Sequence, residues 1–121
     1  MAVYNNITIF VCGSRKEVYK DKVYEELSLI CQYFDELGKS YTIIEGCCPN
    51  SADKYTEEFC KEFSIKNEHF PGKTGYYLNR NIEMAKKCDI CVAFWDGFSY
   101  GTAHSIAQCV KLNKKVKIIN I

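Results

Sequence analysis

DICVAFWDGFSYGT, residues 89–102, reads as a short apolar run that breaks into a loop with two glycines. Ile90 to Phe94 is too short for a buried helix and rich in β-branched and aromatic types, so the spacing predicts a strand over 89–95 that is buried on both faces. A strand covered on both sides belongs to a parallel sheet. The loop Asp96 to Thr102 follows it, and a helix is expected from about Ala103 to Leu112.

The same unit recurs upstream. ITIFVC at 7–12 ends in Gly13-Ser14-Arg15, and YTIIE at 41–45 ends in Gly46-Cys47-Cys48-Pro49-Asn50. Between them, Val23, Leu27, Ile30, Phe34 and Leu37 step by four and three, the stripe of an amphipathic helix over 18–37 that Gly38 stops. Ser51 is a candidate N-cap for a helix whose inward face is expected to be Tyr55, Phe59 and Phe63. A strand at 66–70, KNEHF, precedes the break at Pro71-Gly72 and Gly75. A helix over 77–87 carries Leu78, Ile82 and Ala85 on one side, and KVKII at 115–119 gives a last strand. Strands alternating with helices at this spacing predict an α/β fold: a three-layer sandwich with a parallel sheet of about five strands, order 3-2-1-4-5, and helices on both faces. No linker or repeat interrupts it, so residues 1–121 read as one domain.

Composition narrows the function classes. The chain has 121 residues, 47% hydrophobic and 26% charged, enough for a core of its own. Sixteen basic residues against fifteen acidic leave a formal charge of +1, which argues against a nucleic-acid partner. The lysines from Lys111 to Lys117 fit a solvated helix end. No apolar run reaches membrane-spanning length and residues 1–6 do not resemble a signal peptide, so a cytoplasmic protein with no membrane partner is expected. The eight cysteines fit small buried hydrophobes in a reducing compartment. Cys88 and Cys91 spell C-x-x-C, but no second pair or spaced histidine accompanies them, and neither a metal nor a cofactor is expected.

Three glycine-bearing loops, at Gly13, at Gly46 and at Gly97 to Gly101, each follow a strand and precede a helix. In a parallel sheet they share the carboxyl edge, and the crevice for a ligand opens where strand order reverses, between the first and fourth strands. Glycines let backbone N–H groups approach a phosphate, and helix N-termini favour negative charge.

GSR at 13–15, EGCCPNSADKYTEEFCKEFSI at 45–65, GYYLNRNIEMAKKCDICVAFWDG at 75–97 and SYGT at 99–102, in that order, resemble the YspA-like branch of the SLOG superfamily, and the resemblance runs from about Ile7 to Ile121. It implies a Rossmann-like domain that binds nucleotides or nucleotide-derived ligands, including ADP-ribose-type signals in defence systems; other branches cleave the N-glycosidic bond of nucleoside monophosphates. By that resemblance Gly13, Ser14 and Arg15 form the first ligand loop, and Gly46, Ser51 and Asp53 the second. Arg80 and Asn81 form a pair before the fourth strand, and Asp96, Gly97, Ser99, Gly101 and Thr102 the last loop. Cys47-Cys48 departs from the small residues common there. A homodimer or larger homo-oligomer is also implied.

Several residues carry two readings. Arg15 and Arg80 are either surface arginines or phosphate partners, and Asp53 is either a first-turn acid favoured by the helix dipole or a ligand contact. Asp96, leaving a buried strand at the switch point, suits two ribose hydroxyls. His104 reads as a helix-surface residue more readily than a ligand contact, and Trp95 as core or stacking face. Tyr76, Tyr77, Phe98 and Tyr100 suit an adenine platform or a subunit contact. Cleaving relatives place a glutamate three residues after the threonine, and here that position is Ser105. Binding without cleavage is therefore the expectation, with Asp96 or Glu45 the carboxylates left for an N-ribosyl hydrolase. No G-x-G-x-x-G follows the first strand, which disfavours a dinucleotide oxidoreductase.

Overall fold

A computed structural model describes residues 6–14, 20–46, 52–71 and 77–121, with the side chain of Tyr77 outside that description. The elements follow one another as β1 (Asn6–Gly13), α1 (Lys20–Glu36), β2 (Ser40–Glu45), α2 (Ala52–Glu62), β3 (Lys66–His69), α3 (Tyr77–Lys87), β4 (Ile90–Trp95), α4 (Tyr100–Lys111) and β5 (Lys115–Asn120). All four strand pairings are parallel, and the order is β3-β2-β1-β4-β5. This is the expected α/β, Rossmann-like layout.

Side-chain alternation along β1 sorts the core into two layers. Ile9 and Val11 face α1 and α2, packing with Val23, Leu27, Phe34, Ala52 and Phe59. Phe10 and Cys12 face α3 and α4, packing with Met84, Ala85, Cys88 and Cys109. The chain steps outward from β1 to β3 and then crosses back to β4 and β5; right-handed crossovers place the first two helices on one face and the last two on the other. Asp89 squares the start of β4 against β1, its amide donating to the Thr8 carbonyl and its carboxylate accepting from the Thr8 amide, both at 2.8 Å. The outer strands are the polar ones: β3 has no fully buried residue, and β5 buries Ile119 alone.

Helix ends account for most departures from expectation. Gly38, at φ +68°, closes α1 with Lys39 N donating to Phe34 O at 3.0 Å, and Leu37 lies beyond the helix and half exposed. Ser64, at φ +55°, does the same for α2, with Ile65 N donating to Cys60 O at 2.8 Å. That turn takes Phe63 off the inward stripe; it is 54% exposed, while Ala52, Thr56, Phe59 and Cys60 form the buried face. On α3 the buried residues are Asn81, Met84 and Ala85 rather than Leu78, which sits in the first turn at the sheet's carboxyl edge and is 40% exposed. The fourth helix begins at Tyr100, three residues earlier than expected, so Gly101 and Thr102 lie in its first turn and not in the loop. Among the described residues, no helix is long and apolar enough to cross a membrane.

Candidate functional site

The ends of β1 and β4 are fastened together just beyond the last ladder pair, Gly13 with Phe94. Ser14, fully buried, donates its amide to the Phe94 carbonyl at 2.9 Å, and its hydroxyl accepts from the Asp96 amide at 3.0 Å. Two loops 82 residues apart in sequence thereby become one rigid corner at the point where strand order reverses.

Asp96 shapes the rest of that corner. Its Oδ1 accepts from the amides of Phe98 and Ser99, each at 2.8 Å. These donors, Phe98 first and Ser99 next, hold its carboxyl well below the usual range, at about 2. The tight turn needs Gly97 at φ +86°. Ser99 then occupies the N-cap position of α4: its carbonyl accepts from the Ala103 amide and from Trp95 Nε1, both at 3.1 Å, while its hydroxyl does not cap the helix. Trp95 is thus a half-buried strut. Phe98 and Tyr100 project outward at 85% and 71% exposure, and Tyr100 stacks on His104 with ring centroids 6.4 Å apart.

The glycines divide by purpose. A Cβ on Gly13 would lie 2.6 Å from Ala52 Cβ, so glycine there lets α2 close onto the end of β1. A Cβ on Gly46 would lie 2.8 Å from Arg80 Cζ, and Arg80 Nη1 donates to the Gly46 carbonyl at 2.9 Å. Arg80 therefore reaches from α3 to the second loop, away from the β1–β4 corner. At Gly101 a Cβ would meet nothing within 4 Å, so nothing in the described chain requires glycine at that position. The Gly101 carbonyl accepts from Asn81 Nδ2 at 3.3 Å and from Ser105 Oγ at 3.2 Å, which ties α3 to the first turn of α4.

Of the expected site residues, the structure brings together Gly13, Ser14, Asp96, Gly97 and Ser99 at one corner, Gly101 with Asn81 beside it, and Gly46 with Arg80 at the neighbouring loop. Thr102 and Asp53 are buried in the first turns of α4 and α2. Arg15, Ser51, Cys47, Cys48 and Tyr76 lie outside the described residues. Ser105 is buried and hydrogen-bonded within its own helix.

Two side-chain groupings escape the sequence reading. The Cys88 sulfur lies 4.0 Å from that of Cys109 and the Cys91 sulfur 3.8 Å from that of Cys12, so the C-x-x-C residues sit among the other buried cysteines of the core. Glu45, which closes an otherwise apolar strand, is 0% exposed and meets His69 Nδ1 with its Oε2 at 2.8 Å, while Glu57 Oε1 lies 3.1 Å from the same nitrogen. The acidic end of YTIIE was the available signal; its partners come from α2 and β3, where no periodicity connects them. Comparison of the sequence with protein-family models and with curated proteins finds no match.

Proposed function

We propose that the chain binds a nucleotide-derived small molecule at the β1–β4 corner and holds it intact, as a sensor or sink for an ADP-ribose-type signal. The observation that carries this reading is the Ser14–Asp96 clasp, which fixes two loops at the switch point of a parallel sheet, where such folds bind ligands. In this reading phosphate oxygens approach the first turn of α4 at Gly101, where the helix dipole favours them. The exposed rings of Phe98 and Tyr100 offer a stacking face for a base. Ribose hydroxyls meet the carboxylate of Asp96 in this reading.

What the corner holds supports retention over cleavage. An oxocarbenium-like state calls for a carboxylate aligned beneath it. Ser105 offers a hydroxyl already committed to the Gly101 carbonyl, and Asp96 spends its charge on the turn that it caps. The alternative, an N-ribosyl hydrolase, requires Asp96 or Glu45 to serve as its carboxylate.

The test is mass spectrometry of small molecules released when the purified protein is heat-denatured, followed by calorimetric titration with whatever is found. A nucleotide recovered intact is the expected result. A protein that releases none and binds neither ADP-ribose, NAD nor nucleoside monophosphates refutes the binding reading, and free base with ribose phosphate among the products refutes retention.

The same reading has the chain form a homodimer or larger assembly in the cytoplasm. The exposed Leu29, Tyr33 and Leu37 at one end of α1 support the first part, and six buried free cysteines among the described residues the second.

A further inference from the structure

We infer that Glu45, Glu57 and His69 form a binding site for a divalent first-row transition ion of the Mn2+ to Zn2+ series. The site lies at the carboxyl ends of β2 and β3 and on α2, on the far side of β1 from the β4 corner. Each residue brings one donor atom, and the three atoms all lie within 4.8 Å of one another, which no other three histidine, cysteine or acidic residues achieve among the described residues. The Nδ1 of His69 stands 2.8 Å from Glu45 Oε2 and 3.1 Å from Glu57 Oε1. Ligand bonds of about 2.1 Å at right angles place donor atoms about 3.0 Å apart, so the spacing suits one ion in their midst.

The donor atoms suit a cation in kind as well as in spacing. Nδ1 carries at most one hydrogen, and two carboxylate oxygens converge on it. Asn67 Nδ2 approaches Glu45 Oε2 at 3.4 Å but gives its better bond, 2.9 Å, to the Ile43 carbonyl. A divalent cation can meet both carboxylate oxygens and the imidazole nitrogen at once. With metal on Nδ1 the ring hydrogen sits on Nε2, the usual tautomer of a coordinating histidine. Glu45 supplies the buried wall. Glu57 and His69, each a little under half exposed, form the mouth through which the ion enters. One imidazole nitrogen and two carboxylate oxygens are a donor set for Mn2+, Fe2+, Co2+ or Zn2+, with the remaining positions left to water.

Titration of the metal-stripped full chain with Mn2+, followed by loss of the free-ion electron paramagnetic resonance signal, tests this. Mn2+ is chosen because it takes thiolates poorly, which keeps the cysteines out of the readout. One ion per chain should bind, and His69→Ala and Glu57→Ala should each weaken binding at least tenfold while leaving the far-ultraviolet circular dichroism unchanged, since both side chains reach solvent. Co2+ should give a d–d spectrum without thiolate charge transfer. Absence of binding at millimolar Mn2+, equal affinity in the two variants and the parent, or a thiolate band with Co2+ would each overturn the assignment.

Discussion

Asp96 braces the turn that leads into α4, accepting from the amide of Phe98 and from that of Ser99, the N-cap residue. Its charge is therefore a structural element whose strength follows pH. The carboxyl titrates at about 2 in the folded chain and near 3.9 when unfolded, so it contributes stability above about pH 4 that is lost as pH falls toward 2. Asp96→Asn keeps an oxygen for the Phe98 and Ser99 amides and removes the charge. Urea midpoints should lie below the parent's at neutral pH and converge with them by about pH 2; a constant separation would contradict the argument. Two glycines give a paired contrast. Gly13→Ala forces a Cβ to 2.6 Å from Ala52 Cβ and should cost about 1–3 kcal/mol, whereas Gly101→Ala meets open space in a helical turn and should stabilise by about 0.5 kcal/mol. If glycine at 101 serves the ligand, the more stable Gly101→Ala protein binds it more weakly.

At the scale of elements, burial controls the cysteines. Desolvation raises Cys31 on α1 to about 11 and Cys60 on α2 to about 12, and Cys91 on β4 is also raised, its hydrogen bond with Cys109 pulling down and that with Cys12, with burial, pushing up. Native protein treated with iodoacetamide at pH 8 should leave Cys31, Cys60 and Cys91 unmodified by peptide mass mapping, and label them once urea unfolds the chain. What was legible in the sequence divides along the same lines. The stripe Val23, Leu27, Ile30, Phe34 was readable because one helix against one sheet face repeats a fixed angle. Phe63 and the start of α4 were not, because each depends on a local event, the left-handed Ser64 and the side chain of Asp96, that a periodic pattern does not encode. The Glu45, Glu57 and His69 cluster was hidden for a different cause: its members are 12 and 24 residues apart and meet only through strand register and helix docking.

For the whole molecule, strand order and the switch point were readable because short right-handed crossovers leave few ways to lay five parallel strands. The loop after β4 was readable at the sheet's carboxyl edge, though not its internal bonding. Self-association is the prediction at this scale. Sedimentation at tens of micromolar should show a species of at least twice the chain mass, and Tyr33→Glu, placed amid Leu29 and Leu37, should return it to monomer; a parent that sediments as monomer throughout would refute it. The polar outer strands bear on a separate hazard. A sheet open at both margins offers rows of amide and carbonyl groups to any extended peptide, and margins that are long, flat and apolar recruit one another into fibrils. Here one margin is four residues long, with Lys66 and Glu68 in it, and the other carries Lys115 and Lys117, the latter drawn over toward α1 by Glu26 at 2.9 Å. An incoming strand would crowd those charged side chains and strip water from them. The chain is thus protected against runaway strand addition at both ends of its sheet.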